Sequence, residues 1–281
     1  MGWQGHLRLD YRVQDGRTIA HDAHDGPLRV LQRLYPEGPG VCHHVLVHPP
    51  GGIAGGDHLH ITAHLADAAH ALITTPGATR FYRSDGPQAI QHAQVHLAPR
   101  SRLEWLPLEA LAYSGCIAQN GLEVHLQAGA AMMGWDLVAL GLPAAQAPFV
   151  HGRFVQDLSV HHGIHTWRER GRLQASDTHL LNAGLGWDGR RVLGVLWMAW
   201  AQPTDTDGTA LKDAARALCE HSPLRTHLGV TQPWAGALNV VVVRGLADRV
   251  EPLMQCLEAV RAAWRQLAWG LSGSPPRIWR T

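Results

Sequence analysis

Between His43 and Leu65 the chain reads HHVLVHPPGGIAGGDHLHITAHL: six histidines, four glycines, an adjacent proline pair and one acid, Asp57. Imidazoles at this density could serve metal or proton chemistry, and the glycines could cradle a phosphate, so three readings compete. Gly51 and Gly56 have the spacing of a Walker A loop, but Asp57 and His58 stand where Lys and Ser/Thr should follow. A carboxylate in place of the phosphate-gripping lysine repels the ligand, and the next residues alternate like a strand rather than a helix. A metal-dependent, amidohydrolase-like enzyme would use His58 and His60, which face the same side of a strand and could share one ion. Such a barrel also needs repeated βα units carrying further ligands, a pattern this chain lacks. The third reading is a rigid corner. Pro49, Pro50, Gly51 and Gly52 form one bend, Gly55 and Gly56 a second, Ile53 plugs the space between them, and backbone N–H groups hold Asp57.

The elements that would position this loop are strands. Alternating or short apolar runs bounded by turn residues occur at 28–35, 43–48, 58–65, 69–75, 88–98, 102–108, 122–127, 153–162 and 163–170. No long helical period interrupts them, which argues against βαβ units. The last third changes character, with strands over 190–200 and 237–246 and helices over 209–221 and 248–269. Pro252 fits only the first turn of the second helix. The expected fold is mostly β, an elongated single domain over 1–281 that is strand-rich to residue 200 and helix-containing from 201.

Composition narrows the function classes. The formal net charge is +1, so no global field draws the chain to nucleic acid or an anionic membrane. Protonating all twenty histidines would carry it from +1 to +21, so surface charge depends on pH near neutrality. Cys42, Cys116, Cys219 and Cys256 form no C-x-x-C pair, which fits a reducing, cytoplasmic setting. The longest apolar run, Val192 to Ala201, is too short to span a bilayer. Eleven tryptophans against three phenylalanines supply core and interface anchors.

Six blocks then carry a resemblance: GPLRVLQRLYPEG, HHVLVHPPGGIAGGD, LITTPGATRFYRSDG, LEWLPLEALAYSG, GWDLVALGLPA and the terminal PRIWRT. In this order the chain resembles the urease accessory protein UreD (UreH) family from Gly26 to Thr281. It departs from the family pattern at Leu108 (Gln), Asp136 (Glu) and Leu142 (Arg); the missing Arg removes a salt-bridge partner for Asp136 or Glu109.

The resemblance implies a non-enzyme of stacked β-sheets. Such a protein acts with UreF and the GTPase UreG on the urease structural subunits, and transient Ni²⁺ passes through an internal hydrated passage with no tightly bound cofactor. Asp57, Glu109 and Asp136 are the acids that could line it. Weak carboxylate contacts suit transfer, since tight imidazole or thiolate capture would hold the ion. His58 and His60 would bind nickel only weakly. Thr75, Pro76 and Gly77 make a second rigid turn, and Arg80, Tyr82, Arg83 and Trp279 are candidate partner contacts.

Overall fold

The computed structural model describes residues 2–142, 145–234 and 236–280. In chain order the strands are β1 (Gln4–Gln14), β2 (Arg17–Asp25), β3 (Arg29–Leu34), β4 (Val41–Val47), β5 (His58–Leu65), β6 (His70–Thr74), β7 (Thr79–Phe81), β8 (Ala89–Leu97) and β9 (Arg102–Leu106). They continue with β10 (Ala110–Ala112), β11 (Ile117–Leu126), β12 (Ala131–Leu142), β13 (Ala147–Pro148), β14 (Arg153–His162) and β15 (His165–Gln174). After α1 (Thr178–Asn182) come β16 (Val192–Ala201), α2 (Gly208–Glu220), β17 (Leu228–Trp234), β18 (Leu238–Ala247) and α3 (Val250–Trp269). The mostly-β reading holds, and α2 and α3 lie in the C-terminal third.

The strands form two stacked sheets, one of seven strands (β15-β14-β11-β8-β5-β1-β2) and one whose main path is β17-β18-β16-β12-β9-β6-β4-β3. The chain coils between them: β4, β6, β9 and β12 pair in parallel in the larger sheet, while β5, β8, β11 and β14 do so in the smaller. Parallel pairing thus arises without βαβ units, because each crossover is itself a strand of the opposite sheet. Three four-residue turns, 66–69, 98–101 and 127–130, stack at one end. In each the fourth residue's N–H donates to the first residue's carbonyl, at 3.1, 3.2 and 3.0 Å. The third residue is left-handed in all three: Ala68 (φ 58°), Arg100 (φ 58°) and Gly129 (φ 76°). Ala and Arg accept that strain because the coil must reverse within four residues.

Alternation sends Leu59, Ile61, Ala63 and Leu65 of β5 into the core between the sheets and leaves His58, His60, Thr62 and His64 outside. The larger sheet is covered on its other face by α2 and α3, so β16 reads VLGVLWMAWA with no polar side. On β12, Met133, Trp135 and Leu137 face the helices, whereas Met132, Val138 and Leu140 face the other sheet. Asp207 caps α2 by accepting from Thr209 N–H (2.8 Å), and α3 stops at left-handed Gly270.

The outer face of the smaller sheet is rich in histidine. Strand register aligns His64, His96, His125 and His161, whose rings stack at centroid separations of 5.1, 4.8 and 5.0 Å. His6, His60 and His92 form a second row, 5.7 Å apart at each step. Burial, and then the neighbouring imidazoles, hold His60 and His96 below the ordinary histidine range.

A buried ion cluster joins α3 to the larger sheet. Arg261 and Arg265, one turn apart, are 1% and 0% exposed, and both reach Glu104 of β9, itself 0% exposed. Arg261 Nε donates to Glu104 Oε2 (2.8 Å), while Arg265 Nε lies 3.1 Å from Oε1, an ionic contact outside hydrogen-bonding alignment. Arg265 Nη1 also meets Glu37 Oε2 at 2.8 Å, and His43 Nε2 donates to Glu37 Oε1 (2.7 Å). Burial alone would raise Glu37, but the bonds from His43 and Arg265 outweigh it and hold the carboxyl at about 2.

Removing one partner of such a cluster strands a buried charge. Glu104→Gln should therefore cost about 3–5 kcal/mol of unfolding free energy. Arg83→Ala, which breaks the exposed Arg83–Asp85 pair (3.3 Å), should cost less than about 0.5 kcal/mol. Urea titration of both variants checks this, and comparable losses would contradict it.

Candidate functional site

The long connections lie at the other end of the coil and stack on one another. Ile53, 1% exposed, bridges to β7: its N–H donates to Arg80 O (2.7 Å), and Tyr82 N–H donates to Ile53 O (2.9 Å). The loop before it turns at Gly51 (φ 80°), whose N–H donates to His48 O (2.9 Å), with Pro49 and Pro50 exposed. Gly52 and Gly55 lie so close to the Tyr82 ring and the Ser84 side chain that a β-carbon at either would collide. Gly56 closes the loop in the left-handed region.

Asp57 is spent on this loop. Its Oδ2 accepts from Ala54 N–H (2.8 Å) and its Oδ1 from Trp3 N–H (2.7 Å), tying the corner to the chain's start. It is 3% exposed and lines neither cavity described below, though its charge reaches His48. The Thr75-Pro76-Gly77 turn is held similarly: Thr75 Oγ1 donates to Gly77 O (3.0 Å) and accepts from Leu108 N–H (2.9 Å).

Beneath these two turns a cavity of about 320 Å³ opens between the sheets, lined by His48, Gly51, Gly52, Thr74 to Arg80, Gln91, Trp105 and Pro107. Thr79, Gln91, Trp105 and Pro107 also line a second, much smaller cavity of about 20 Å³, enough for a water-sized guest. Asp136, Asn120 and Leu122 are also on its wall. Strand register aligns Gln91, Asn120 and Gln156 on the inner face of the smaller sheet. Gln91 Nε2 donates to Asn120 Oδ1 (3.0 Å), and Asn120 Nδ2 donates to Gln156 Oε1 (3.4 Å).

Asp136 faces this amide row from β12. Part of the residue meets the cavity, but Oδ2 is sealed and has no protein hydrogen-bond partner. Burial pushes its carboxyl up to about 7 against a smaller opposing pull from the Gln156 amide. At neutral pH the group therefore exchanges between a neutral acid and a carboxylate. Together these residues supply oxygen atoms of one acid, three amides and a threonine. Such a set contacts a cation weakly.

The other candidates are dispersed. Glu109 is half-buried, and its carbonyl accepts from Thr79 N–H (2.9 Å), which places it beside the turn. His58 is exposed and His60 half-buried on the outer sheet face, away from both cavities. Arg80, Tyr82 and Arg83 are exposed near the loops, with the Tyr82 ring 5.4 Å from Tyr113. Trp279 packs against Trp135 (5.1 Å), and its Nε1 donates to Thr74 Oγ1 (2.7 Å), which holds it against the helix-covered face of the larger sheet. Sequence reasoning missed Gln91, Asn120 and Gln156. Each is a single amide in an otherwise ordinary strand.

Comparison with known proteins gives these positions a context. The family described as UreD urease accessory protein matches residues 4–280. A urease accessory protein UreD of Leptothrix cholodnii is 56% identical over 284 residues, covering 100% of both chains. Those of Variovorax paradoxus (50%, 100% of both chains) and Paracidovorax citrulli (51%, 99% of both) are similarly close.

Two outcomes follow from the geometry. The folded Asp136 carboxyl keeps its proton to about pH 7 while the unfolded one loses it near 3.8, so its ionisation opposes folding as pH rises between those values. Asp136→Asn should stabilise the protein at pH 8, by about 4 kcal/mol at most, with the gain shrinking towards pH 4. Urea titrations at the two pH values test this; a pH-independent difference would contradict it. Asp57→Asn turns one acceptor into a donor facing a backbone N–H and should cost about 1–3 kcal/mol. Unchanged thermal unfolding would instead show that the loop does not need the Asp57 carboxylate.

Proposed function

The chain belongs to the UreD family of urease accessory proteins, and from that premise we propose how its interior serves urease maturation. It is an accessory chaperone, not an enzyme, acting in the insertion of nickel into apo-urease. Nickel is its cargo. In this reading Ni²⁺ enters the larger cavity beneath the HPPGG and TTPG turns, then passes Thr79 and Gln91 to meet Asp136. The supporting observation is Asp136 itself, an ionisable carboxylate with an unpartnered oxygen on the wall of the smaller cavity, which shares Thr79, Gln91, Trp105 and Pro107 with the larger one. A half-ionised acid and neutral amides bind a cation loosely enough to release it, which a relay requires.

The partners in this reading are UreF, UreG through UreF, and the urease structural subunits. Arg80, Tyr82 and Arg83, exposed near the cavity, would meet one of them, and the whole chain would work as a single unit in the cytoplasm. Among the described residues no helix is long and apolar enough to cross a membrane. The His58/His60 pair favours no hydrolase, because among the described residues no three potential ligands converge.

Co-expressing urease with the other accessory proteins but without this chain should yield folded, nickel-poor, nearly inactive urease. Restoring it as Asp136→Leu, which removes the carboxylate and fills the small cavity, should leave partner pull-downs intact and lower urease nickel content several-fold. Full nickel content with Asp136→Leu would rule out the relay. Full activity without the chain would overturn the role itself. The isolated chain should hydrolyse neither GTP nor urea.

A further inference from the structure

We propose that the outer face of the smaller sheet binds divalent first-row transition-metal cations, of the Ni²⁺, Cu²⁺ and Zn²⁺ class, between imidazoles on adjacent strands. This inference stands apart from the relay through Asp136, which lies on the far side of the same sheet.

The site is made by register. His64, His96 and His125 come from three separate stretches of sequence, yet parallel pairing places them directly opposite one another on β5, β8 and β11. Their rings are nearly parallel, at 10° and 8°, with centroids 5.1 and 4.8 Å apart. Side-chain rotation of two such neighbours brings one nitrogen of each onto a common ion, the geometry of an imidazole pair with water in the remaining positions. No three ligating side chains converge among the described residues, so the pair is the binding unit. His96 belongs to both pairs and has no protein hydrogen bond among those described, which leaves its nitrogens available.

Carboxylates stand behind the row. Asp10 Oδ1 is 3.3 Å from His64 Nδ1, and Glu123 Oε1 accepts from His125 Nε2 at 2.7 Å. Such partners orient a ligating imidazole and raise its basicity. His161 continues the stack, but Thr166 and Ser159 engage both its nitrogens, so the row of available ligands ends at His125. On one side the row borders a groove of about 710 Å³ whose walls include Asp10, His21, His64, His96 and His125, so a hydrated ion can approach.

Imidazole ligands select late first-row metals over Mg²⁺ and Ca²⁺. Because the two pairs share His96 and lie about one strand spacing apart, mutual repulsion and ligand sharing limit the row to one ion. That ion can step between pairs by exchanging a single ring.

The test uses the full chain and each metal alone at pH 7.5. Calorimetry with Ni²⁺ should give its tightest event near one ion per chain, and the electron paramagnetic resonance of one equivalent of Cu²⁺ should show two nitrogen ligands. His96→Gln, which breaks both pairs, should weaken Ni²⁺ binding at least tenfold and reduce the Cu²⁺ signal to one nitrogen. His24→Gln/His151→Gln, off the row, should leave both readings unchanged. Thermal unfolding confirms that each variant is folded, and the double variant His64→Gln/His125→Gln replaces His96→Gln if the latter is not. Unchanged binding in the row variants, or an equal loss in the off-row control, would show scattered adventitious imidazoles and overturn the proposal.

Discussion

Two arginines with no solvent exposure can sit in a protein only if their charge is answered on the spot, and here Glu104 and Glu37 answer it. The cluster is neutral as a whole, with two acids against two bases, and that neutrality makes its burial tolerable. Its position matters more than its net energy. It joins α3 to β9, in the middle of the larger sheet, and with Glu37 it also reaches the β3–β4 connection. The docked helix seals the sheet's outer face, which turns β12 into a strand buried on both sides. One side packs Trp135 against the helices and the terminal Trp279. The other side, by strict alternation, aims Asp136 into the space between the sheets.

The two faces of the smaller sheet show how one architectural rule yields two kinds of chemistry. Parallel coiling places equivalent positions of successive strands side by side. On the inner face this produces the amide row Gln91, Asn120 and Gln156 opposite Asp136. On the outer face it produces the imidazole rows. In the proposed relay the oxygen-lined interior would contact cations loosely, whereas the proposed imidazole site outside would hold them more firmly.

Much of this was legible in the sequence where one face of a strand is wet. The alternation over 58–65 and 153–162 coincides with β5 and β14 to the residue, and Ile53 is the plug that its flanking glycines imply. The helices over 209–221 and 248–269 also stand, within two residues at each end. β1, which alternates, escaped along with β2 and β17, and other features escaped for want of a local signal. β12 gives no alternation because both its faces are buried, so its residues from Gly134 read only as part of the family block GWDLVALGLPA and not as a strand. The rows of Gln, Asn and His depend on register between strands roughly thirty residues apart, which no local period encodes. Asp57 was legible as an acid held by backbone donors, but Trp3, one of its two donors, lies 54 residues away.

The 157 residues between Glu104 and Arg261 have a consequence for how the molecule is made. Leaving the ribosome, the coil from β4 to β12 can stack while α3 is still unmade. During that interval Glu104 and Glu37 have no cation, and the apolar outer face of the larger sheet has no cover. The nascent chain therefore carries an acid-studded hydrophobic surface that α2 covers only in part until α3 follows. Docking of α3, rather than collapse of the coil, closes this face. A chain cut short before Arg261 would keep its solenoid turns and its histidine rows, yet expose the surface most prone to capture by chaperones or by another copy.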